Sequence, residues 1–389
     1  MSGMAAALAL ARDGHVVEIF EEFAEPRPIG SGLLLQPSGL EALRSLGLEQ
    51  TMRDLGAPVM KMEGRCSRGR LVLDLDYAWW RTGAAGLGVH RAALFGVLHD
   101  ALEPAGVQVR RGRSSAGVID ADHPRLRFSD GEETEPYDLV IAADGAGSET
   151  RPFIRPHAEA RPYAWGAVWA NCPDPQGRWA GALRQVYHRA EVMIGVLPIG
   201  RAPGSDTQLV SLFWSEPRES IGALLAGDLD VWKAKVERWW PEVRPLLDSI
   251  EQSSALSPAT YRDVGVGRWC SGSATLIGDA AHGTSPQLGQ GANLGLVDGV
   301  ELAATLREHP GDVPRALRRW QASRRRQTAY YQLASRALTP MFQSRSRAWP
   351  WLRDALLVPA TRAPGLNRIA GATLAGSGWF GWGSRPVRL

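Results

Sequence analysis

Short apolar runs, separated by polar turns, define the secondary structure expected for this chain. Residues 1–11 are small and mostly apolar, which predicts a buried helix that runs to about residue 12. Residues 16–20 are β-branched or aromatic apart from one acid, which predicts a strand that ends at Glu21. Residues 139–143 form a continuous apolar run, as in a strand that is buried on both faces of a parallel sheet. The first part of the chain therefore reads as an α/β unit.

The middle of the chain has a different pattern of residues. Between 153 and 265, strand-like segments alternate with loops rich in Pro and Gly, which predicts a β-rich layer. Residues 274–279 return to a short buried strand, and a Gly-rich stretch then leads into helical patterning. The predicted fold class is therefore α/β, with a discontinuous domain, an inserted β-sheet and a helical C-terminal region. The predicted segments are 1–152, 153–265, 266–344 and a basic, Trp-containing tail at 345–389.

Composition narrows the class of protein. The 389 residues carry a formal net charge of +3, which argues against a nucleic-acid-binding protein. No apolar run approaches the length that crosses a bilayer. The three cysteines are far apart and show no CxxC spacing, so we expect neither a disulfide framework nor a metal site. A cytoplasmic location fits these features best.

Gly3 and Glu21 match the second half of a dinucleotide-binding fingerprint. Glu21 follows Gly3 by 18 residues, about the distance between the last glycine of GxGxxG and its ribose-binding acid. The preceding strand and the first two glycines of that motif are absent from the sequence. We expect that the start site was placed too late, although a truncated, non-catalytic partner remained an alternative.

Two further motifs follow in order. Asp144 and Gly145 end the apolar run at 139–143, and Gly278-Asp279 opens the segment GDAAHGTSPQLGQGAN. With these motifs in this order, residues 1 to about 345 resemble the FAD-dependent aromatic hydroxylases, the single-component group A flavoprotein monooxygenases. The resemblance implies a Rossmann-like FAD-binding domain whose two parts flank an inserted substrate-binding sheet. NADH or NADPH would reduce FAD, and a flavin hydroperoxide formed with O2 would hydroxylate or epoxidise an aromatic or polycyclic small molecule.

The resemblance also implies roles for particular residues. Pro286 would lie beside the reactive face of the flavin, and no other catalytic side chain is assigned. Although histidine is a common acid or base in enzymes, His282 would belong to a structural segment. The residues expected to bind the cofactor are Gly3, Glu21, Arg91, Asp144, Gly145, Gly278, Asp279, Gly289, Gly291, Ala292 and Asn293.

Substrate contacts are expected from aromatic residues of the inserted sheet, namely Tyr163, Trp165, Tyr187 and Trp214. The tail carries seven arginines and one acid, Asp354, so peripheral contact with an anionic membrane is a further possibility. A reductase or dehydrogenase with the same FAD-binding frame is the alternative activity.

Overall fold

The computed structural model describes residues 1–25, 31–158 and 160–378. The last residues of the predicted tail, 379–389, lie outside the described part. The α-helices are α1 (Ser2–Arg12), α2 (Pro37–Ser45), α3 (Glu49–Leu55), α4 (Arg91–Asp100), α5 (Arg151–Ile154), α6 (Arg218–Ala226), α7 (Leu229–Trp239), α8 (Arg244–Asp248), α9 (Asp279–His282), α10 (Gly291–Glu308), α11 (Val313–Phe342), α12 (Ala348–Arg362) and α13 (Leu366–Leu374).

The strands complete the α/β fold that the sequence predicts. They are β1 (Glu18–Glu21), β2 (Gly32–Leu35), β3 (Ala57–Cys66), β4 (Leu71–Asp76), β5 (Gly86–His90), β6 (Gln108–Arg111), β7 (Ser115–Ile119), β8 (Arg125–Phe128), β9 (Val140–Ala142), β10 (Ala160–Pro173), β11 (Gly181–His188), β12 (Val192–Arg201), β13 (Gln208–Pro217), β14 (Ser257–Val264), β15 (Cys270–Ser271) and β16 (Ala274–Leu276).

Parallel pairing joins distant parts of the chain into one α/β unit. Strand β1 pairs in parallel with β6, and β9 pairs in parallel with β16, with Ile141 opposite Thr275. The second pair brings the Asp-Gly and Gly-Asp motifs to the same edge, since each motif follows its strand directly. The sequence-based prediction of a discontinuous domain is confirmed by this pairing.

A nine-stranded sheet forms the second layer. Its order is β14-β10-β13-β12-β11-β3-β5-β2, with β4 paired to β3. The sheet is therefore larger than the predicted β segment at 153–265, because β2 to β5 come from residues 32–90. It curls back on itself: a Cβ on Gly88 of β5 would stand 1.8 Å from the carbonyl oxygen of Pro198 in β12.

Helices cover both faces of this sheet. Residues 218–248, expected to belong to a β-rich layer, instead form α6 to α8. Trp232 and Val236 of α7 share a buried cluster with Val168 and Trp214 of the sheet. We call this face of the sheet the outer face. The opposite, inner face meets α11 and α13. Its buried cluster, called here the inner cluster, contains Leu34, Val59, Met62, Val72, Leu73, Tyr77, Leu183, Tyr187, Met193, Leu197, Ile199, Phe213, Phe342 and Leu374.

Helix α1 packs closely against α10 at a glycine. Gly299 lies where α10 crosses α1, and a Cβ there would stand 2.6 Å from the backbone nitrogen of Ala6. The small residues of α1 are buried from Met4 to Leu10, as the sequence predicts. This close contact places the start of α1 beside the Gly-Asp motif and the start of α10.

Candidate active site

The N-terminal end of α1 is the point where predicted cofactor residues converge. No side chain caps this helix end, so its first backbone N–H groups are not used by a capping bond. Gly3 lies against the end of β9, since a Cβ on it would stand 3.0 Å from the Ala143 Cβ. The start of α1 therefore offers backbone donors, which favour a bound anion, next to the Asp-Gly motif.

Three charged side chains act electrostatically on the amino group at this helix end. Burial lowers the pKa of the Met1 amino group and Arg91 lowers it further, whereas Asp279 and Glu21 raise it. Because charges shift a pKa strongly only at short range, Arg91, Asp279 and Glu21 all lie near the start of α1. Four cofactor candidates that are far apart in sequence, Gly3 among them, are thus brought together.

The Gly-Asp segment has a backbone that glycine alone adopts easily. Gly278 has φ of +59°, and a Cβ on it would stand 2.5 Å from the Ser2 Oγ. Its N–H donates to Asp298 Oδ2 at 2.9 Å. Asp279, the next residue, is exposed. Its Oδ1 lies 3.7 Å from where a Cβ on Gly291 would stand. The Asp279 carboxylate therefore faces the start of α10.

A buried charged cluster supports this segment. The Asp298 carboxylate accepts from Gly278 N and also pairs with His282 Nε2 at 2.5 Å and Arg324 Nε at 2.8 Å. Although burial raises the pKa of Asp298, the charges of His282 and Arg324 hold it well below its usual range. The Arg324 and His282 side chains are themselves buried. His282 therefore lies inside a structural network, away from the exposed side of Asp279.

The loop before α10 carries the remaining glycines. Pro286 begins a 3-10 helix that ends at Leu288, and Gly289 has φ of +60°. Helix α10 then begins at Gly291 without a side-chain cap, so Ala292 and Asn293 lie in a first turn with unused N–H groups. This second uncapped helix end faces the same region as Asp279.

Asn293 connects the loop to the sheet. Its amide nitrogen lies 3.0 Å from the carbonyl oxygens of both Leu34 and Gly289, and its Oδ1 accepts from Gln36 N at 2.8 Å. A Cβ on Gly39 would stand 2.1 Å from the same Oδ1. The Asn293 side chain therefore fixes the loop against β2.

The Asp-Gly turn is held by a buried arginine. Asp144 Oδ2 accepts from Thr150 N at 3.1 Å, and Gly145 has φ of +77°. Arg151 donates to Gly145 O at 3.1 Å and to Ala280 O at 2.8 Å. Arg151 thereby joins this turn to the Gly-Asp segment.

The predicted substrate residues lie on both faces of the sheet. Tyr187 belongs to the inner cluster, and its ring centroid is 5.1 Å from that of Phe342 on α11. Trp165 is buried on β10. Trp214 lies in the outer-face cluster beneath α7 and donates to Glu216 at 2.6 Å. The structure does not bring Trp214 to the inner face, because the strand period of two turns its side chain away.

Tyr163 belongs to a polar network beside Pro286. Its hydroxyl lies 2.9 Å from Thr339 Oγ1 and 3.0 Å from Gln343 Oε1. Gln287, the residue after Pro286, donates to Gln343 Oε1 at 2.5 Å. Burial raises the pKa of Tyr163, so it stays protonated at neutral pH. The network joins the loop that contains Pro286 and Gln287 to β10 and α11.

Sequence reasoning missed several polar residues of the site. Gln36 is fully buried, and the hydroxyl of Tyr77 donates to its Oε1. Asp298 and Arg324 were not identified either. A signal for Asp298 was present, since it is the single acid between residues 291 and 300 in a helix start that is otherwise uncharged. A buried acid of this kind needs a cationic partner.

Among the described residues, no group of three or more His, Cys, Asp or Glu side chains is placed to hold a metal ion. No helix within them is long and apolar enough to cross a membrane.

Comparison with known proteins identifies an FAD-binding family. Residues 1–330 match the family model described as FAD binding domain. The chain is 27% identical over 337 residues to the FAD-dependent urate hydroxylase of Klebsiella pneumoniae, covering 83% of each chain. It is 31% identical over 360 residues to the 3-amino-4-hydroxybenzoate 2-monooxygenase of Streptomyces cremeus, covering 88% of this chain and 85% of the relative.

Solved structures of flavoprotein oxygenases have a similar fold. Klebsiella pneumoniae HpxO, in complex with FAD and uric acid, superposes with a TM-score of 0.79 at 23% identity, covering 96% of this chain and 95% of that one. A 2-methyl-3-hydroxypyridine-5-carboxylic acid oxygenase superposes with a TM-score of 0.77 at 22% identity, covering 96% and 93%.

Proposed function

This chain belongs to the FAD-binding family of flavoprotein monooxygenases, and on that premise we propose that it oxygenates an aromatic or polycyclic small molecule. NADH or NADPH would supply the electrons and O2 the oxygen atom, giving a hydroxylated or epoxidised product. The named relatives are FAD-dependent monooxygenases of aromatic compounds, which supports an oxidoreductase of the same type. The family favours this activity over the alternative reductase or dehydrogenase.

One observation carries the proposal. Glu21, Arg91 and Asp279 come from three separate parts of the chain, and the charge of each acts on the Met1 amino group at the uncapped start of α1. A helix end with free N–H groups binds a pyrophosphate, and an arginine beside it neutralises the phosphate charge. An acid at the end of β1 suits the ribose hydroxyls. The residues present therefore fit an FAD molecule.

The second uncapped helix end completes the fit. Asp279 faces the start of α10 across Gly291, a position where only a glycine leaves the backbone bare. We propose that Asp279 binds the ribityl chain, and that the N–H groups of Gly291, Ala292 and Asn293 bind the pyrimidine edge of the flavin. Gly289 and Gly278 supply the positive-φ turns that shape this loop.

The protein's own part in the reaction is binding and shielding. When bound, FAD supplies the two-electron and oxygen chemistry that side chains lack. Pro286 and the inner face of the sheet would hold the substrate ring beside the cofactor. The inner cluster is apolar and backed by α11 and α13, so it would exclude water from the reacting atoms. Tyr163 and Gln287 would orient the ring from the side of Pro286.

The direct test is the visible absorption spectrum of the purified protein. Bound oxidised flavin, followed by NADH or NADPH oxidation that depends on an aromatic compound and yields an oxygenated product, supports the proposal. Flavin that is reduced by substrate without oxygen incorporation supports a dehydrogenase instead. Protein that takes up no FAD on reconstitution contradicts both and favours the non-catalytic partner.

Two features bear on location. The three cysteines are free, which supports a reducing, cytoplasmic setting. Trp349 and Trp351 on α12 are exposed, which supports the peripheral membrane contact predicted from the basic tail. We propose a cytoplasmic location and a peripheral membrane contact, and that this contact delivers a lipid-soluble substrate.

A further inference from the structure

The last described residues of the chain lie against the start of α10. Residues 373–378, called here the C-terminal segment, comprise the end of α13 and the residues after it, and they lie beyond the range that matches the FAD-binding family model, 1–330. Leu374 and Ala375 are buried. The N–H of Ser38, in the first turn of α2, donates to the Ala375 carbonyl oxygen at 3.0 Å. The segment is therefore docked in the molecule rather than left on its surface.

Gln290, the residue before α10, connects the loop that precedes this helix to the C-terminal segment. The residue is 2% exposed, and its Nε2 lies 3.0 Å from the Leu374 carbonyl oxygen and 3.3 Å from that of Thr373. Both carbonyls belong to the last turn of α13, where carbonyl groups have no partner within the helix. Among the described residues the Gln290 Oε1 has no partner, so the hydrogen bonds of this amide go to the C-terminal segment.

Helices α11 and α2 hold the segment from its other sides. The Tyr331 hydroxyl donates to the Thr373 carbonyl oxygen at 2.9 Å and accepts from the Gly378 N–H at 2.9 Å. Gly376 has φ of +84°, and a Cβ on it would stand 1.8 Å from the Ser38 Oγ. Another residue at Gly376 would therefore strain the backbone and push the segment away from α2. The position of the segment, and of the carbonyls that Gln290 binds, is fixed by these contacts.

The contact leaves the start of α10 open to a ligand. Ser, Thr, Asp and Asn are preferred at the N-cap, where a side-chain oxygen accepts from the first N–H groups of the helix. Gln290 occupies this position, but its amide is bonded to the C-terminal segment, and α10 has no side-chain cap. The first N–H groups of α10, including those of Ala292 and Asn293, therefore remain available to an acceptor.

The same contact affects the electrostatic potential at this point. The carbonyl oxygens at the end of α13 carry partial negative charge, and the N–H groups at the start of α10 carry partial positive charge. The Gln290 amide donates to two of those carbonyls and so compensates part of their charge. Without the amide, two unpaired carbonyls near the start of α10 would lower the positive potential there. A bound group that gains negative charge would then be stabilised less.

We propose that Gln290 is a positioning residue for the flavin, and that through it the C-terminal segment forms part of the cofactor site. The inference rests on the proposed function, in which the N–H groups at the start of α10 bind the pyrimidine edge of FAD. It adds to that site a segment that lies outside the family match. Because negative charge accumulates at the pyrimidine edge on reduction, the contact favours reduced FAD over oxidised FAD.

The test measures two quantities in the full-length protein, the dissociation constant of FAD and the reduction potential of the bound flavin. Gln290→Met keeps the length of the side chain but removes the amide. We expect it to bind FAD about tenfold more weakly, the effect of losing roughly one hydrogen bond, and to shift the potential to a lower value. Gly376→Ala, which displaces the segment from Ser38 without changing the loop before α10, should shift both quantities in the same direction.

Each variant has a matched control. Gln50→Met makes the same exchange on the exposed side of α3. Gly365→Ala places the same side chain at a glycine that also has positive φ, +86°, but where a Cβ would meet nothing within 4 Å. Both controls should keep the wild-type dissociation constant and potential. If Gln290→Met or Gly376→Ala does not fold, Tyr331→Phe removes the hydroxyl that binds the segment and should lower the potential as well.

The potential separates positioning from packing. A loss of packing alone weakens oxidised and reduced FAD equally, so weaker binding with an unchanged potential would overturn the proposal. Wild-type affinity and potential in Gln290→Met, or equal effects of Gly376→Ala and Gly365→Ala, would overturn it too. The FAD content of the wild type is measured first. Absence of flavin there contradicts the proposed function itself, whereas each of the other results contradicts this inference alone.

Discussion

Asp298 shows how much of the site depends on a residue that touches neither cofactor nor substrate. One carboxylate holds the Gly278 backbone, His282 and Arg324, and Trp320 Nε1 donates to the Asp298 carbonyl oxygen at 3.1 Å. Three segments that come from different parts of the chain therefore meet at one side chain. The Gly-Asp turn is positioned by this cluster, so its geometry depends on the charge of Asp298.

We predict that Asp298→Asn lowers the free energy of unfolding by about 3–5 kcal/mol at pH 7, because it leaves Arg324 buried without a full partner. The folded-state pKa of Asp298 lies below its unfolded value of 3.8, so its stabilising contribution is present above that value and is lost as pH falls toward the folded pKa. Urea denaturation of wild type and variant should therefore show a gap that narrows below pH 3.8. A gap of the same size at pH 3 and pH 7 would contradict this reading.

Asp279 is the residue whose loss should act on the cofactor alone. Its carboxylate is exposed beside Gly291, and it makes no hydrogen bond that supports the fold among the described residues. Asp279→Ala is expected to weaken FAD binding about tenfold, the loss typical of one or two hydrogen bonds to a charged group, with unchanged unfolding free energy. FAD fluorescence titration measures this. Asp230→Ala, at an acid 91% exposed on α7, is the control and should retain full FAD affinity.

At the scale of elements, the crossing of α1 and α10 is set by the absence of a side chain at Gly299. A Cβ there would meet the backbone of Ala6 at 2.6 Å, and backbone atoms give way less easily than a flexible side chain. Gly299→Ala should therefore lower stability by about 1–3 kcal/mol, the usual range for overpacking. At Gly222 of α6 a Cβ meets nothing within 4 Å, so Gly222→Ala should raise stability by about 0.5–1 kcal/mol. Equal effects of the two changes in thermal denaturation would refute the argument.

The elements that the sequence predicted are those with a local signal. Helix α1 and strand β9 were identified because apolar runs of fixed period indicate them directly. Strands β11 and β12 are separated by a turn at Arg189, whose φ is +53°, and the sequence there has no Gly, Pro, Asn or Asp to indicate the turn. Helices α6 to α8 were missed although α7 carries a helical signal, since its buried residues Trp232 and Val236 are four positions apart, the spacing of one helix face.

At the scale of the whole molecule, the site is assembled from residues that only the fold brings together. The motifs around Gly3, Asp144 and Asp279 could be recognised because each has a local pattern. The Gln36–Tyr77 pair could not, since the two residues lie 41 positions apart and neither belongs to a motif. The same holds for Arg324, whose partner Asp298 lies 26 positions earlier. Long-range pairs of this kind depend on strand order and helix crossing, which a single sequence does not fix.

The surface of the tail leads to a separate prediction, which is contact with an anionic membrane. Residues 345–389 carry seven arginines and one acid, and the exposed fractions of Trp349 and Trp351 are 42% and 73%. Trp side chains with nearby arginines favour the interface of an anionic bilayer. We expect sedimentation with vesicles that contain phosphatidylserine, and little with phosphatidylcholine alone.

The double variant Trp349→Ser, Trp351→Ser should bind the phosphatidylserine vesicles at least threefold more weakly, because the two indoles supply apolar area that enters the interface. Val231→Ser is the matched control, since Val231 is 55% exposed on α7, away from the tail, and should bind as the wild type does. Raising the salt concentration should weaken binding of all three proteins, as the arginine charges are screened. Wild-type protein that stays in the supernatant with either vesicle would remove the membrane contact, and the exposed Trp pair would then need another partner.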